Sequence, residues 1–213
     1  MDGFSGLRRN MVDCQLRTYD ITDRAVLAAA DSVPREAFVP ESFAHLAYLD
    51  QSIALPGTGR ALMTPMVIAR MIQLLNLQPG EDALEYGGAS GYGAALMAHM
   101  GATVTLWEPD SAARSLAEGA LRAAGAGQVA VAAAQPARES FDAILVSGAC
   151  ETQPETLFSL LRAEGRLIVV EGVGRAARVK LYRKSADIVA GRPVFDAAAP
   201  VLSEFRRPES FVF

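Results

Sequence analysis

The segment that decides the fold is Asp82-Ala-Leu-Glu-Tyr-Gly-Gly-Ala-Ser-Gly-Tyr-Gly93. It starts as a short apolar run with one acid, Glu85, and then becomes glycine-rich. Residues 94–98 continue as an apolar helical pattern. A strand, a glycine-rich turn and a helix N-terminus together form a site for a polar ligand. The glycines let the backbone approach the ligand, and the free amides of the first helical turn point at it.

The spacing of the glycines narrows the choice of ligand. Dinucleotide-binding loops have the pattern G-x-G-x-x-G, and P-loops end in Gly-Lys-Ser or Gly-Lys-Thr; this segment fits neither. It fits acid-x-G-x-(G/A)-x-G, with Glu85, Gly87, Ala89 and Gly91 at the fixed positions. This pattern resembles the first motif of class I S-adenosylmethionine-dependent methyltransferases. A glycine-rich turn in another kind of α/β unit is the alternative that this segment leaves open.

Downstream of this segment, strand-like and helix-like patterns alternate. This order predicts a doubly wound, Rossmann-like α/β fold with a mostly parallel sheet and helices on both faces. The predicted strands are 103–107, 128–133, 141–147 and 166–170, with outer strands at 178–184 and 200–206, and the predicted helices are 111–124 and 154–162.

The first 80 residues show no such alternation. We expect one methyltransferase-like domain over residues 1–213, with an N-terminal helical, substrate-side extension at 1–80 and a Rossmann-like cofactor-binding core at 81–213. The helices predicted in the extension are 10–18, 23–30 and one that begins at Pro65 after an N-cap at Thr64.

Composition excludes several classes of protein. The 20 basic and 24 acidic side chains give a net charge of −4, which argues against a nucleic-acid-binding surface. Two cysteines, Cys14 and Cys150, cannot form a disulfide framework or a zinc site, so we predict no metal site and a reducing, cytoplasmic setting. The first ten residues hold no apolar core of signal-peptide length. The uncharged run between Glu85 and Glu108 is too rich in glycine for a membrane span. The oligomeric state stays open.

Glu108 is the second candidate ligand of the cofactor. It lies 21 positions after Gly87, immediately past the second predicted strand of the core. In such folds an acid at this separation accepts hydrogen bonds from the ribose hydroxyls of an adenosine-containing ligand. The alternative is an exposed acid that stabilises the dipole of the following helix. Tyr92, at the start of the helix after the loop, is expected to line the same pocket.

Further segments carry a more specific resemblance. They are Met11-Val-Asp-Cys-Gln-Leu-Arg17, Val33-Pro-Arg-Glu-Ala-Phe-Val39, Ala47-Tyr-Leu-Asp50, Ile53-Ala-Leu-Pro56, Phe141-Asp-Ala-Ile-Leu-Val146 and Gly165-Arg-Leu-Ile168. Through them the sequence resembles the protein-L-isoaspartate O-methyltransferase family along nearly its whole length. The resemblance implies an S-adenosylmethionine-dependent enzyme of protein repair, which methylates isoaspartyl residues and therefore takes a protein or peptide as its acceptor.

The sequence departs from the family's pattern in three segments. The family has Gly-Gln-x-Ile-Ser-Gln-Pro where this sequence has Gly59-Arg-Ala-Leu-Met-Thr-Pro65, so Met63 replaces the substrate-contacting Ser and Thr64 replaces the Gln. Ala89 replaces the middle glycine of the loop, and Gln135 replaces an acid expected near the adenine. The resemblance thus assigns the acceptor site to Thr64 and Met63. It assigns the cofactor site to Glu85, Gly87, Gly88, Ala89, Gly91, Tyr92, Glu108 and Gln135.

Three hypotheses follow. The first is an isoaspartyl methyltransferase; the second is a methyltransferase of the same fold with a different acceptor, which Met63 favours. The third is a non-catalytic binding protein with a degenerate cofactor site, which Ala89 and Gln135 favour. The absence of an evident catalytic histidine does not decide between them. A carboxylate acceptor is ionised at neutral pH, and the enzyme supplies mainly proximity and orientation.

Overall fold

The computed structural model describes residues 3–208. Its helices within that range are α1 (Gly3–Met11), α2 (Arg24–Ser32), α3 (Pro65–Leu75), α4 (Tyr92–His99), α5 (Ser111–Ala123) and α6 (Glu155–Phe158). Its strands are β1 (Ile53–Leu55), β2 (Arg60–Leu62), β3 (Asp82–Tyr86), β4 (Thr103–Trp107), β5 (Ala130–Ala132), β6 (Phe141–Cys150), β7 (Leu161–Glu171), β8 (Arg178–Ser185) and β9 (Ile188–Asp196).

The main sheet of the described residues has seven strands in the order β5-β4-β3-β6-β7-β8-β9. The pairs among β5, β4, β3, β6 and β7 are parallel, whereas β8 and β9 add to the edge in antiparallel orientation. The predicted doubly wound, mostly parallel fold is confirmed. The strand order reverses between β3 and β6, so a crevice for a ligand is expected at the carboxyl ends of these two strands.

The N-terminal residues form helices and a small hairpin beside this sheet. The predicted cap at Thr64 is present, since its hydroxyl accepts a hydrogen bond from the Val67 amide, and Asp23 likewise caps α2 by accepting one from the Ala25 amide. The first helix begins earlier than predicted, at Gly3, and continues from Met11 into a π-helical turn. Strands β1 and β2 pair in antiparallel orientation. Buried side chains of this region share one core with sheet residues such as Ala83, Leu145 and Ile168, whereas Leu84, Ile144 and Leu167 belong to a second cluster.

Two predicted elements are wrong. The helix predicted at 154–162 is confined to α6, because Leu161 already begins β7. The buried residues Leu157, Leu160 and Leu161 keep a helical spacing across this boundary, so periodicity alone cannot place it. The outer strand predicted at 200–206 does not exist, because the outer strand is β9. Residues 200–206 instead cross the carboxyl end of β6, where only Val201 forms an isolated bridge, to Ala149.

No helix of residues 3–208 combines the length and the apolar character that a membrane crossing requires.

Candidate functional site

The glycine-rich loop joins the end of β3 to the start of α4. Gly87 and Gly91 have positive φ angles of 65° and 83°, which glycine adopts without strain. Ala89 also has a positive φ, 53°, where a side chain costs about 1–2 kcal/mol. Its amide donates a hydrogen bond of 3.1 Å to Glu108 Oε2. The alanine therefore takes up the left-handed conformation itself.

Glu85 lies beneath this loop and is fully buried. Its Oε1 accepts a 2.5 Å hydrogen bond from the Ser147 hydroxyl, and its Oε2 accepts a 2.7 Å bond from the Ala94 amide. Burial raises the pKa of Glu85 to about 7, although the hydrogen bonds from Ser147 and the Ala94 amide act in the opposite direction. This carboxyl group thereby ties the end of β3 to β6 and to the N-terminus of α4.

Two glycines of the segment make room for the Glu85 carboxyl group. A Cβ atom on Gly88 would lie 2.5 Å from Glu85 Oε2, and one on Gly93 would lie 2.3 Å from Oε1. Both distances are shorter than van der Waals contact. Glycine is therefore required at 88 and 93 by the buried acid, in addition to any approach to a ligand.

Glu108 follows β4 and is also fully buried. Its Oε2 accepts the hydrogen bond from the Ala89 amide, and its Oε1 accepts a 3.0 Å bond from the Asp110 amide. Oε1 also accepts two hydrogen bonds from Arg60, from Nε at 3.1 Å and from Nη2 at 2.8 Å. Glu108, the residue predicted to bind the ribose, is thus hydrogen-bonded directly to the glycine-rich loop. It also forms an ion pair with Arg60 of β2.

Arg60 also pairs with a second acid, Glu204. Nη1 donates to Glu204 Oε2 at 3.0 Å and Nη2 to Oε1 at 2.6 Å. The Arg60 side chain is 3% exposed and the Glu204 side chain 31% exposed. Burial lowers the pKa of Arg60, but the hydrogen bonds to Glu204 and Glu108 outweigh it and the net pKa is raised. The guanidinium therefore stays charged between two carboxylates.

Residues 200–207, here called the strap, run across the carboxyl ends of the central strands. The Ala149 amide donates to the Pro200 carbonyl at 2.8 Å, and the Leu202 amide donates to the Ala149 carbonyl at 2.9 Å. Further along, the Glu151 amide donates to the Phe205 carbonyl at 2.9 Å. These bonds attach the strap to the end of β6.

Leu202 of the strap lies directly on two glycines. Its Cδ2 is 3.0 Å from the position that a Cβ atom on Gly87 would take, and its Cγ is 2.6 Å from the equivalent position on Gly148. The Phe205 ring packs edge-on against Tyr86, the last residue of β3, with centroids 5.5 Å apart. Apolar side chains of the strap therefore cover the crevice between β3 and β6.

The predicted acceptor residues lie at the start of α3. Met63 is buried, and its carbonyl accepts a 2.5 Å hydrogen bond from Nη2 of the fully buried Arg35. Thr64 is half-buried, and its hydroxyl accepts a hydrogen bond from the Val67 amide as the cap of α3. Arg35 also donates to the Ala47 carbonyl at 2.7 Å. The buried Arg35 guanidinium therefore fixes the position of the backbone at Met63.

Two residues predicted to bind the cofactor lie apart from Glu108 and its hydrogen-bond partners. Tyr92 is fully buried, with its ring packed against Phe38 at 5.4 Å and beneath the Arg35 guanidinium at 4.6 Å. Gln135 is exposed in the turn after β5, and no hydrogen bond joins it to the other site residues within the described range. The structure brings together Glu85, Gly87, Gly88, Ala89, Gly91 and Glu108.

Comparison with known proteins identifies the family. A family model described as Protein-L-isoaspartate(D-aspartate) O-methyltransferase (PCMT) matches residues 7–197. The chain belongs to the protein-L-isoaspartate O-methyltransferase family. A protein-L-isoaspartate O-methyltransferase of Methylorubrum extorquens is 40% identical over 186 residues, which cover 84% of this chain and 81% of the relative. One from Anaeromyxobacter sp. is 41% identical over 172 residues, covering 78% of this chain and 70% of the relative.

Solved structures of the same family share the fold. One, described as a protein-L-isoaspartate O-methyltransferase, superposes with a TM-score of 0.78 at 22% identity, covering 92% of this chain and 66% of that one. Another, a Plasmodium falciparum member of the family in complex with S-adenosyl-L-homocysteine, has a TM-score of 0.77 at 21% identity, covering 94% of this chain and 98% of that one.

Sequence analysis did not single out Arg60, Leu202 and Glu204. Only Arg60 carried a signal, because the family pattern has Gln at this position. The partnership of Arg60 with Glu204 joins residues 144 positions apart. Without tertiary information, Glu204 is one more acid in a polar C-terminal segment.

Proposed function

We propose that this protein is an S-adenosylmethionine-dependent methyltransferase that esterifies isoaspartyl residues of proteins or peptides. The observation that carries the proposal is the bond from the Ala89 amide to Glu108, in a chain of this family. It joins the glycine-rich loop to the acid after β4 at the carboxyl ends of the sheet, where adenosine-containing ligands bind in such folds. The chain comprises a substrate-side extension, 1–80, and a cofactor-binding core, 81–213, and acts in the cytoplasm.

The residues around the loop fit this cofactor in their chemistry. Glu108 would accept hydrogen bonds from the ribose hydroxyls, and the loop 87–91 would place its backbone against the ligand, with Glu85 holding the loop from below. Ser90 Oγ and Trp107 Nε1 are buried without a partner among the described residues, so both can still bond to a polar group. In this conformation, however, Arg60 and Leu202 close the site. The remaining assignments, Tyr92 and Gln135, stay proposals, since the Tyr92 ring packs on Phe38 and Arg35 and Gln135 is exposed.

When bound, S-adenosylmethionine supplies an electrophilic methyl group. The acceptor carboxylate is already ionised at neutral pH, so the chain needs no general base for it and has to hold it in line. Thr64 and Met63 are the proposed acceptor-side residues. The Met63 side chain offers no hydrogen-bond donor. The acceptor must therefore be held by the backbone near Met63, which Arg35 fixes, or by the Thr64 hydroxyl.

A methyltransferase with a different acceptor is the second candidate. Met63 favours it, because a buried thioether in place of a hydroxyl makes this part of the site apolar. An acceptor without an isoaspartyl carboxylate would suit such a surface better.

Two measurements test the proposal. Calorimetric titration with S-adenosylmethionine should show binding, and labelled methyl should pass to an isoaspartyl peptide but not to the same peptide with an ordinary aspartyl residue. Cofactor binding without transfer to the isoaspartyl peptide would favour the second candidate. Met63→Ser should then raise transfer to that peptide, whereas Met66→Ser, a matched change at a half-buried neighbour, should not.

A further inference from the structure

We propose that Arg60 and the strap form a latch over the cofactor site, so that cofactor binding requires the Arg60–Glu204 ion pair to open. This inference rests on the proposed function, because it concerns the site that S-adenosylmethionine would occupy. It has three components: the space that Leu202 fills, the acceptor atom that Arg60 occupies, and the bond between Arg60 and Glu204.

Leu202 occupies the crevice where a ligand is expected. Gly87 and Gly148 stand at the carboxyl ends of β3 and β6, on either side of the point at which the strand order reverses. The Leu202 side chain touches both: a Cβ atom would lie 2.6 Å from its Cγ on Gly148 and 3.0 Å from its Cδ2 on Gly87. A ligand that approaches the loop at Gly87 must therefore move Leu202, and Leu202 is bonded through its backbone amide to Ala149.

Arg60 occupies one of the two oxygens of the carboxylate that would bind the ribose. Glu108 Oε1 already accepts three hydrogen bonds, two from Arg60 and one from the Asp110 amide. A carboxylate oxygen has about two lone-pair directions. Ribose hydroxyls can bond to this atom only after the guanidinium has left it.

The Arg60–Glu204 pair joins these two obstacles. One guanidinium bridges two carboxylates, and Glu204 belongs to the strap, two residues after Leu202. When the Arg60–Glu204 pair opens, the strap that carries Leu202 loses its side-chain bond to β2, and Arg60 loses one of the two carboxylates that hold it in place. Opening this one pair therefore weakens both obstacles.

The surroundings leave room for that movement. An open cleft of about 500 Å³ lies beside the pair, lined by Gly57, Gly59, Pro109 and Ser203 among others. Gly57 and Gly59 precede Arg60, have positive φ angles and have no atom within 4 Å of their Cβ positions. Loop residues of this kind absorb the backbone change when a lid opens.

A closed latch lowers the apparent affinity for the cofactor. Only molecules with an open latch bind, so the apparent Kd equals the intrinsic Kd divided by the open fraction. Weakening the latch should raise that fraction and tighten binding, although no contact to the ligand is added.

The test compares four proteins: the natural chain, Arg60→Gln, Glu204→Gln and the control Arg178→Gln. Arg178 pairs with Asp196 at 2.9 Å on the β8–β9 hairpin and lies outside the proposed site. S-adenosylhomocysteine is titrated into each by calorimetry. Hydrogen exchange is measured in peptides that contain the Ala149 and Leu202 amides, with and without the ligand.

We expect Arg60→Gln and Glu204→Gln to bind S-adenosylhomocysteine about five- to tenfold more tightly than the natural chain, with the control unchanged. Both latch variants should also exchange the Ala149 and Leu202 amides faster before ligand is added. In the natural chain the ligand itself should accelerate this exchange.

Other outcomes overturn the latch. If all four proteins bind equally, or if the strap amides of the natural chain stay equally protected in the complex, the latch is wrong and the proposed function stands. Weaker binding by both latch variants would mean that Arg60 and Glu204 help to hold the ligand, which also contradicts the latch. If no protein binds the ligand, the latch and the cofactor assignment of the proposed function both fall.

Discussion

The Arg60 guanidinium donates two hydrogen bonds to one oxygen of Glu108, and both side chains are almost completely buried. The sequence predicts that Glu108 binds the ribose of the cofactor. In this structure its carboxylate is instead hydrogen-bonded to a side chain of the protein itself. The strap reinforces this arrangement through Glu204. The stability of the free protein and its affinity for the cofactor should therefore oppose each other here.

Replacing the cation at residue 60 should destabilise the free protein. Breaking a buried ion pair costs about 3–5 kcal/mol. Because Glu108 keeps two backbone donors and Glu204 is partly exposed, Arg60→Gln should lower the free energy of unfolding by about 2–3 kcal/mol. Urea unfolding measures this, with Arg178→Gln as the control. The control breaks an exposed pair and should change stability by less than about 0.5 kcal/mol. Equal losses in the two variants would contradict a special role for Arg60.

The strain at Ala89 should be small in its net effect. Ala89→Gly relieves about 1–2 kcal/mol of left-handed strain, but the added freedom of the unfolded chain offsets about 0.5–1 kcal/mol of this. We expect the free energy of unfolding to rise by no more than about 1.5 kcal/mol. Ala89→Val should lower it, because a β-branched residue tolerates positive φ poorly. Thermal unfolding of the two variants checks the contrast, and a stable valine variant would show that the loop is not strained.

Stability should depend on pH through Glu85. Its pKa is about 7 in the folded protein against 4.5 for the free group, so the folded state holds the proton more tightly. The stabilisation is complete below pH 4.5 and is lost as the pH rises through 7, by about 3 kcal/mol in total.

Glu85→Gln provides the comparison, because glutamine keeps the shape but does not titrate. The difference in unfolding free energy between the natural chain and this variant, measured in urea at pH 5 and pH 8, should shift by about 2.5 kcal/mol in favour of the variant at pH 8. If the difference in unfolding free energy is the same at pH 5 and pH 8, Glu85 does not titrate in this range.

Gly93 should be intolerant of even a methyl group. The added Cβ would lie 2.3 Å from Glu85 Oε1, so Gly93→Ala should cost about 1–3 kcal/mol. Gly119→Ala is the matched control, since Gly119 lies in α5 with no atom within 4 Å of its Cβ position. That control should stabilise the protein by about 0.5–1 kcal/mol. Chemical unfolding of both variants gives the comparison, and the idea fails if Gly93→Ala is as stable as the natural chain.

Much of the fold could be predicted because its determinants are local. The strand that carries Glu85, the turn at Gly87 and Gly91, and the cap at Thr64 each depend on residues a few positions apart, and all three occur as predicted. The helix predicted at 154–162 and the strand predicted at 200–206 were wrong for a common reason. Both contain apolar residues that pack against distant parts of the chain, so their spacing reports burial but not conformation.

The sequence by itself determined the family, the α/β order and the loop that ends β3, because glycine positions and hydrophobic periods act over one or two turns of chain. Only the tertiary structure decided the state of the site. Arg60, Glu108 and Glu204 come from β2, from the end of β4 and from the strap, and no local pattern relates them. Their contact arises because the fold brings three distant segments to the same edge of the sheet. At that edge the buried Arg60 guanidinium is stable only because it is paired with carboxylates. The loop that defines the family is therefore encoded locally, and its closure is a property of the folded chain.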